Sequence, residues 1–323
     1  MSVTAILIAG PTASGKSALA AVLAQRHGGV VINADSMQIY RDLPVLSAQP
    51  HLDADGYDPA HVPHRLYGVL DGAELCSAAR WHALAALEVT RARDLGLLPI
   101  FVGGTGLYLR TLIEGLAPVP GIPQAIRDEV RAEMAACGPE AMHRALDAID
   151  PAMAQKLETA DSQRIARAFE VIRATGQSLL AFQSRRLPGC LSADHEQQTL
   201  ALAALDLPRD VLYARCDMRF HDMLDQGALD EVQALLARRL DPALPVMKAL
   251  GVPPLGDYLA GTIDLPEAIA LAQKQTRHYA KRQQTWIRTQ FSHWPMIDAG
   301  QPEAALQSLE AQMAVMAKTP LNE

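Results

Sequence analysis

The chain has 323 residues, of which 49% are hydrophobic and 20% charged, and its formal net charge is −7. This length predicts one large or two unequal domains around a sizeable core. No apolar run could cross a bilayer and no basic leader is present, so we expect a cytoplasmic protein without membrane contact. The four cysteines lack metal-ligand spacing, which argues against a zinc site. The acidic balance argues against indiscriminate nucleic-acid coating but permits a local basic surface.

The first predicted element is an apolar strand, residues 5–9, that leads into a glycine-rich loop. Residues 10–17 read Gly-Pro-Thr-Ala-Ser-Gly-Lys-Ser, and a helical pattern follows them. This spacing predicts a phosphate loop whose N–H groups converge on a phosphate at the start of a helix. Lys16 would bind phosphate oxygens, and Ser17 would bind a hydrated Mg²⁺. The same loop binds ATP in kinases, so the motif predicts a phosphorylated ligand without naming it.

Three further apolar runs, residues 29–35, 97–102 and 200–206, predict more strands. Strands that alternate with helices indicate a parallel sheet, so the predicted fold class is α/β. A helix over residues 78–94 is predicted to end at Gly96. Its inward-facing apolar residues would be Trp81, Leu84, Ala85, Leu87, Ala92 and Leu95.

Polar residues follow two of these strands, where the ligand crevice of a parallel sheet lies. Asp35 ends the second run, and its carboxylate could act on the ligand, assist Mg²⁺ indirectly or cap the next segment. Thr105, in a Gly-Gly-Thr-Gly turn after the third run, could donate a hydrogen bond there. An ordinary loop hydroxyl is the equal alternative.

A proline-rich stop at residues 118–123 begins a helical segment, which we interpret as an inserted all-helical lobe over residues 118–198. The core domain would then be residues 1–117 and 199–323. Within the lobe, Asp161 and Ser162 are predicted to cap a helix that ends at Gly176. That helix would bury Ile165, Ala168, Phe169 and Ile172. Beyond Pro208 the chain is predicted to be helical, with a Pro/Gly-rich break at residues 241–256.

Two segments of the C-terminal third are basic. Residues 274–288 contain five Lys or Arg and no acid, with Lys274, Arg277, Lys281 and Arg288 on one helical stripe. Such a stripe suits a nucleic-acid backbone, and a solvated cationic face is the alternative. Arg215 and Arg219, one turn apart, could clamp a diphosphate or pair with nearby aspartates.

Taken together, five segments resemble one family. They are residues 10–17, Ala-Asp-Ser-Met-Gln-Ile-Tyr at 34–40, Val-Gly-Gly-Thr-Gly-Leu-Tyr at 102–108, Asp-Ser-Gln-Arg-Ile-Ala-Arg at 161–167 and Ala-Lys-Arg-Gln-Gln-Thr-Trp-Ile-Arg at 280–288. In this order they are similar to the tRNA dimethylallyltransferases, also called tRNA isopentenyltransferases. The resemblance implies a P-loop core with a helical insertion. It also implies transfer of a dimethylallyl group from dimethylallyl diphosphate to the N6 amine of the adenosine 3′ of the anticodon, with Mg²⁺.

The resemblance further implies the roles of individual residues. Asp35 would accept the proton from the amine, and Thr12, Lys16 and Arg215 would complete the catalytic set, with Ser17 holding Mg²⁺. The diphosphate would be bound by Gly10, Pro11, Thr12, Ala13, Ser14, Gly15, Lys16, Ser17, Arg215 and Arg219. The anticodon arm of tRNA would be bound by Asp35, Ser36, Met37, Gln38, Thr105, Arg127, Gln163, Arg164, Ile165, Ala166, Arg167, Lys281, Arg282, Gln283, Gln284, Thr285, Trp286, Ile287 and Arg288.

The chain departs from the family pattern in two places. Residues 250–254 read Leu-Gly-Val-Pro-Pro where many relatives carry Gly-Tyr-Arg/Lys, which weakens residues 247–252 as a tRNA contact. Ser17 replaces a common threonine, and either hydroxyl can serve Mg²⁺. Two rival readings are a small-molecule P-loop kinase and a prenyltransferase that acts on free adenine nucleotides. A guanine-reading Asn-Lys-x-Asp stretch, expected in a nucleotide switch, is absent. We expect the protein to be a monomer.

Overall fold

The computed structural model describes residues 3–318, and within them six strands form one sheet. The strands are β1 Ala5–Ala9, β2 Gly29–Asn33, β3 His64–Arg65, β4 Leu98–Gly103, β5 Leu200–Asp206 and β6 Met296–Asp298. They are hydrogen-bonded in the order β3-β2-β4-β1-β5-β6, and all neighbours are parallel. The predicted parallel α/β fold is therefore confirmed. The sequence missed β3 and β6, because strands of two or three residues are too short to show a period.

Helices cover both faces of the sheet. In the sheet-bearing unit they are α1 Lys16–His27, α2 Ala78–Asp94, α3 Gly106–Glu114, α8 Ser192–Glu196, α9 Arg209–Asp225, α10 Ala228–Ala237, α11 Val252–Leu259, α12 Leu265–Gln290 and α13 Pro302–Lys318, with a 3₁₀ turn at Pro245–Lys248. Among the described residues, no helix is both long and apolar enough to cross a membrane.

Side-chain alternation along the strands divides the core into two layers. In β1, Leu7 joins a cluster with Trp81 of α2, whereas Ile6 and Ile8 join one that contains Leu23 of α1. Every residue of β1 is fully buried. A strand that is covered on both faces reads as a continuous apolar run, which explains why residues 5–9 show no polar alternation.

The carboxyl ends of four strands lie level at one edge of the sheet. Ala9 is in register with Gly103 and Ala204, and Asn33 is in register with Val102. The loops that follow β1, β2 and β4 therefore emerge side by side. They carry the phosphate loop, Asp35 and Thr105, which are the polar groups that the sequence predicted at this edge.

The second compact unit is residues Glu114–Gly189, and it is all-helical. Its helices are α4 Gln124–Ile149, α5 Pro151–Ala154, α6 Ser162–Thr175 and α7 Leu179–Gln183, and α4 is interrupted at Gly138. Its own core includes Val130, Leu146 and Phe169. The predicted N-cap is present, since the Asp161 side chain accepts from Arg164 N–H.

The boundaries of this unit differ from the predicted 118–198. Residues 190–198 lie with the sheet-bearing unit, because Leu191 is fully buried in the large core and its N–H donates to Leu112 O at 2.8 Å. At the other end, Glu114 to Ala117 belong to the helical unit, where Leu116 forms a β-bridge with Leu187. The proline-rich stretch at residues 118–123 therefore does not coincide with the boundary of the helical unit, which is set by the packing of the flanking residues.

Two local predictions were wrong in part, and the bounds of a third were too wide. In α2, Leu87 and Leu95 are exposed, and Glu88 and Val89 take the buried positions instead. The break predicted for residues 241–256 is present only up to residue 251, because α11 begins at Val252 with its prolines in the first turn, where no N–H is needed. In α6, Val171 is fully buried, whereas Ile172 is only partly buried.

We predict that Gly103→Ala strongly destabilises the protein. A Cβ at this position would lie 2.0 Å from Ala34 O, and neither backbone can move without disturbing paired strands. We expect a loss of about 3 kcal/mol in the free energy of unfolding, measured by urea denaturation. Gly121→Ala is the control, because nothing lies within 4 Å of its added Cβ. Equal stability of the two variants would contradict the assigned contact.

Candidate active site

The phosphate loop turns between β1 and α1 through two left-handed residues. Ala13 has φ 61° and Gly15 has φ 85°, and Ser14 N–H donates to Pro11 O at 3.3 Å. The first N–H groups of α1, from Lys16 onward, have no partner within the helix. Alternating backbone geometry of this kind forms a concave set of donors, so the loop is built to bind an anion.

Lys16 lies buried beneath this loop. Its Nζ donates to Pro11 O at 3.2 Å. Burial lowers the pKa of Lys16 to about 8, the Asp35 carboxylate raises it in part, and Arg219 lowers it further. A bound diphosphate would hold the lysine in its charged form, because an adjacent anion favours the ammonium.

Arg219 of α9, more than Arg215, reaches the centre of the site. Arg219 Nη1 donates to Thr12 Oγ1 at 3.1 Å, and burial lowers the pKa of this guanidinium while Asp35 raises it. Arg215 instead lines a separate pocket of about 340 Å³ with Ser14, Gly15 and residues of α1 and α13. The roles given to Arg215 and Arg219 stay predictions, and the contact with Thr12 favours Arg219. Both arginines lie on the face of α9 that meets the phosphate loop, and Arg219, one turn further along the helix, is the one that contacts Thr12.

Asp35 is held rigidly just beyond β2. Asn33 Oδ1 accepts from Asp35 N–H at 2.7 Å, and Asn33 Nδ2 donates to Asp35 O at 3.0 Å. Asp35 Oδ1 accepts from Met37 N–H at 2.9 Å, so the predicted capping role is real but uses one oxygen. In the described part of the chain, Oδ2 accepts no hydrogen bond. One carboxylate oxygen thus remains for chemistry.

The loop after β4 docks against both Asp35 and α12. Ser36 N–H donates to Thr105 Oγ1 at 3.0 Å. Tyr279 of α12 lies near this loop, and its pKa is raised by burial and by the nearby Asp35 charge. A Cβ on Gly106 would lie 1.9 Å from the Trp286 ring, so the helix can approach this closely only over glycine.

Thr12, Asp35 and Tyr279 line one cavity of about 390 Å³ at the edge of the sheet. Its polar wall includes Thr12, Asp35 and Tyr279, with Lys248 and Arg282 on its lining. Its apolar wall includes Leu43, Leu46 and Leu250. The volume suits a small organic group rather than a polymer, and the charges on the polar wall have opposite signs.

The sequence analysis did not assign Tyr279 to the site, although this residue lies within the basic segment, residues 274–288. It also missed Glu231 of α10, whose carboxylate accepts from the N–H groups of Val45 and Leu46 and so holds a wall of the cavity. A hydrophobic period predicts which face is buried but not what the buried face meets. A tyrosine beside a basic stripe was the one available signal in the sequence.

The basic stripe on α12 is less basic than its spacing predicts. Arg277 pairs with Asp217 and Arg288 pairs with Asp206, each at 2.6 Å. Lys281 and Arg282 are exposed, and neither has an ion pair among the described residues. Together with Thr285, Trp286, Thr289 and Gln290 they line a surface depression. This stretch is the part of α12 that offers positive charge to a ligand.

Five of the residues expected to face RNA are buried, namely Gln38, Ile165, Gln283, Gln284 and Ile287. Ile165 is fully buried in the core of the helical unit, and Ile287 is buried in that of the sheet. Gln284 is buried too, and its Nε2 donates to Asp206 Oδ1 and Leu207 O, each at 2.7 Å. Ile165, Gln284 and Ile287 stabilise α6 and α12 instead, because every third or fourth residue of an amphipathic helix faces inward.

In the helical unit, the remaining predicted residues form a mixed surface. Gln163 and Arg164 are exposed, and Arg164 pairs with Asp161 at 3.3 Å. Arg167 pairs with Glu170 at 3.1 Å. Arg127 Nε is buried and has no hydrogen-bond partner within residues 3–318. An unpaired buried guanidinium nitrogen is costly, so it marks a place where a ligand would be stabilising.

Residues 3–318 contain no cluster of three His, Cys, Asp or Glu side chains that could hold a metal. The one candidate ligand is the exposed hydroxyl of Ser17 in the first turn of α1. A single hydroxyl fits Mg²⁺, which keeps several waters and is bound mainly through substrate phosphates. The donor set therefore fits a metal that arrives with a diphosphate.

Comparison with known proteins decides the family. The family model described as "IPP transferase" matches residues 38–290, and the one described as "Isopentenyl transferase" matches residues 3–55. The chain belongs to the IPP transferase family, the tRNA dimethylallyltransferases. It is a tRNA-modifying transferase. The tRNA dimethylallyltransferase of Rhodospirillum rubrum is 55% identical over 88% of this chain and 85% of its own. That of Nitrobacter hamburgensis is 51% identical over 94% and 93%.

Solved structures agree with this assignment. A full-length tRNA isopentenylpyrophosphate transferase from Bacillus halodurans is 31% identical, with a TM-score of 0.66 over 97% of each chain. A eukaryotic dimethylallyltransferase acting on tRNA is 25% identical, with a TM-score of 0.79 over 99% of this chain and 81% of its own. The fold and the resemblance stated from the motifs are both confirmed.

We predict that Lys16→Met stabilises the ligand-free protein by about 2 kcal/mol at pH 7. The folded pKa, about 8, lies below the ordinary 10.5, so the folded state gives up this proton more readily than the unfolded state. Wild-type stability should therefore rise from pH 8 towards 10.5. The advantage of the variant should shrink over that window, as measured by denaturation at pH 7, 9 and 10. A constant advantage would contradict a buried charged lysine.

Proposed function

We propose that this chain transfers the dimethylallyl group of dimethylallyl diphosphate to the N6 amine of the adenosine 3′ of the anticodon, and releases diphosphate. The observation that carries the proposal is that Thr12 of the anion-binding loop and Asp35 line one cavity, while Arg219 donates to the Thr12 hydroxyl. A diphosphate binds at one end of this arrangement, and a carboxylate waits at the other. Between them is room for a five-carbon group.

Cleavage of the allylic C–O bond leaves negative charge on the diphosphate. The N–H groups at the start of α1 and the buried cations Lys16 and Arg219 are in place to stabilise that charge. They need little reorganisation, because the fold already holds them. When Mg²⁺ is bound through Ser17, it neutralises further charge on the leaving group.

The amine is a weak nucleophile because its lone pair is delocalised into the adenine ring. As the new C–N bond forms, the nitrogen becomes acidic and its proton passes to a base. Asp35 is the carboxylate on the cavity wall, and its fixed backbone holds it there. The electron pair of the C–O bond leaves with the diphosphate, so atoms and charges balance.

The target base must leave its stack to enter the cavity, at a cost of roughly a few kcal/mol. We propose that contacts with the RNA backbone offset this cost. Lys281 and Arg282 on α12, and Arg127, Gln163 and Arg164 on the helical unit, are the described residues that offer such contacts. Ser36, Met37 and Lys248 lie on the cavity wall, where they would meet the nucleoside. That the protein acts as a cytoplasmic monomer stays a prediction.

We predict that Asp35→Asn lowers kcat by a factor of about 10²–10⁴ and leaves diphosphate binding intact. The assay is transfer of labelled dimethylallyl, with Mg²⁺, to a synthetic anticodon stem-loop, beside free AMP. Asp53→Asn is the matched control, since its Oδ1 also accepts from a backbone N–H two residues on, at 3.0 Å, but outside the cavity.

Label in the wild-type stem-loop that disappears only with Asp35→Asn would support both the substrate and the base. Label in AMP alone would assign the protein to prenylation of free nucleotides. Transfer to neither, with ATP turnover on a small acceptor, would show a kinase.

Binding of the stem-loop should weaken with salt, and Lys281→Ala should reduce the slope of log K against log[salt] by about 0.7. Lys281 offers an unpaired charge, whereas Arg277, one turn earlier, pairs with Asp217. Arg277→Ala should therefore change the slope less. The binding constant of each variant is measured by fluorescence anisotropy at four salt concentrations. Equal slopes for wild type and Lys281→Ala would exclude Lys281 as a phosphate contact.

A further inference from the structure

Gln283 lies on α12, within the stretch expected to bind RNA, but its side chain is buried against the loops of the sheet. Its Oε1 accepts a hydrogen bond from Thr12 N–H at 2.8 Å, and its Nε2 donates to Gly104 O at 2.9 Å. Thr12 belongs to the phosphate loop after β1, and Gly104 belongs to the loop after β4. One side-chain amide therefore joins two loops of the site to a helix far along the chain.

The fit around this amide is close. A Cβ on Gly104 would lie 2.0 Å from Gln283 Nε2, so the amide can reach the carbonyl only where the loop has no side chain. The two hydrogen bonds and the absence of a side chain at Gly104 fix a single orientation of the amide.

Thr12 is consequently held at both ends. Gln283 binds its N–H, and Arg219 donates to its Oγ1 at 3.1 Å. Because the N–H of Thr12 is already used, an anion in the loop must bind to the later amides, at the start of α1. Thr12 lines the same cavity as Asp35, and it lines a second, smaller cavity together with Arg219.

We propose that Gln283 is a positioning residue for group transfer, which acts on the reacting groups by fixing the Thr12 backbone rather than by touching RNA. The inference rests on the proposed function, since it assumes that Thr12 and Arg219 lie beside the leaving diphosphate. Reacting groups that move by about 1 Å can lose a hundredfold in rate. Loss of this amide therefore acts on kcat more than on RNA affinity.

Gln283→Met tests the inference, because methionine keeps the length of the side chain and can make neither hydrogen bond. Gln312→Met is the matched control. Gln312 of α13 also accepts from a backbone N–H and donates to a backbone C=O, both of Leu202, but outside the cavity. Both variants remove the same kind of interaction, so loss of stability alone should affect them equally.

Four quantities are measured for each variant: the melting temperature, kcat with the stem-loop, the Kd for stem-loop, and the Kd for inorganic diphosphate without RNA. For Gln283→Met we expect kcat to fall at least tenfold and the Kd for diphosphate to rise at least threefold, with the Kd for stem-loop within twofold of wild type. For Gln312→Met we expect kcat within twofold.

A rise in stem-loop Kd with unchanged kcat would overturn the inference and make Gln283 an RNA contact. Equal kcat in both variants, with lowered melting temperatures, would overturn it and make the amide purely structural. If wild-type protein modifies no RNA, the proposed function fails, and the diphosphate measurement still tests whether Gln283 shapes the loop.

Discussion

All six strands run in one direction, so every loop that follows a strand emerges at the same edge of the sheet. That constraint brings together the phosphate loop, Asp35 and Thr105, which are far apart in the chain. The strands themselves contribute only burial and register. Without the parallel order, an anion-binding loop and a carboxylate would lie at opposite ends of the core.

Helices supply the second half of the site. α9 carries Arg219 to Thr12, α12 carries Gln283 to Thr12 and Gly104, and α10 carries Glu231 to the wall formed by residues 45–46. Each contact joins a helix side chain to the backbone or hydroxyl of a loop. Loops are the mobile part of most folds, and in this protein the hydrogen bonds of Arg219, Gln283 and Glu231 restrain the loops of the site.

The same site is costly to the folded protein. Lys16 and Arg219 are cations whose pKa values burial lowers, and they lie near each other beneath one carboxylate. Ala13 holds a left-handed conformation that favours glycine. The diphosphate proposed to bind here would supply the missing negative charge. The ligand-free protein is therefore less stable than it would be without these groups, as expected when a site is organised before the ligand arrives.

The amino-acid sequence alone determined the phosphate loop, four of the strands, the caps of α6 and the family resemblance. Each of these depends on residues that are neighbours in the chain, where spacing and local backbone chemistry suffice. Only the tertiary structure decided that Arg219 rather than Arg215 reaches Thr12, that Gln284 and Ile287 face the core, and that Arg277 and Arg288 are paired. Helical periodicity predicts on which face of its helix a residue lies. Which loop, acid or cavity that face meets depends on the packing of distant segments, and no local pattern encodes it.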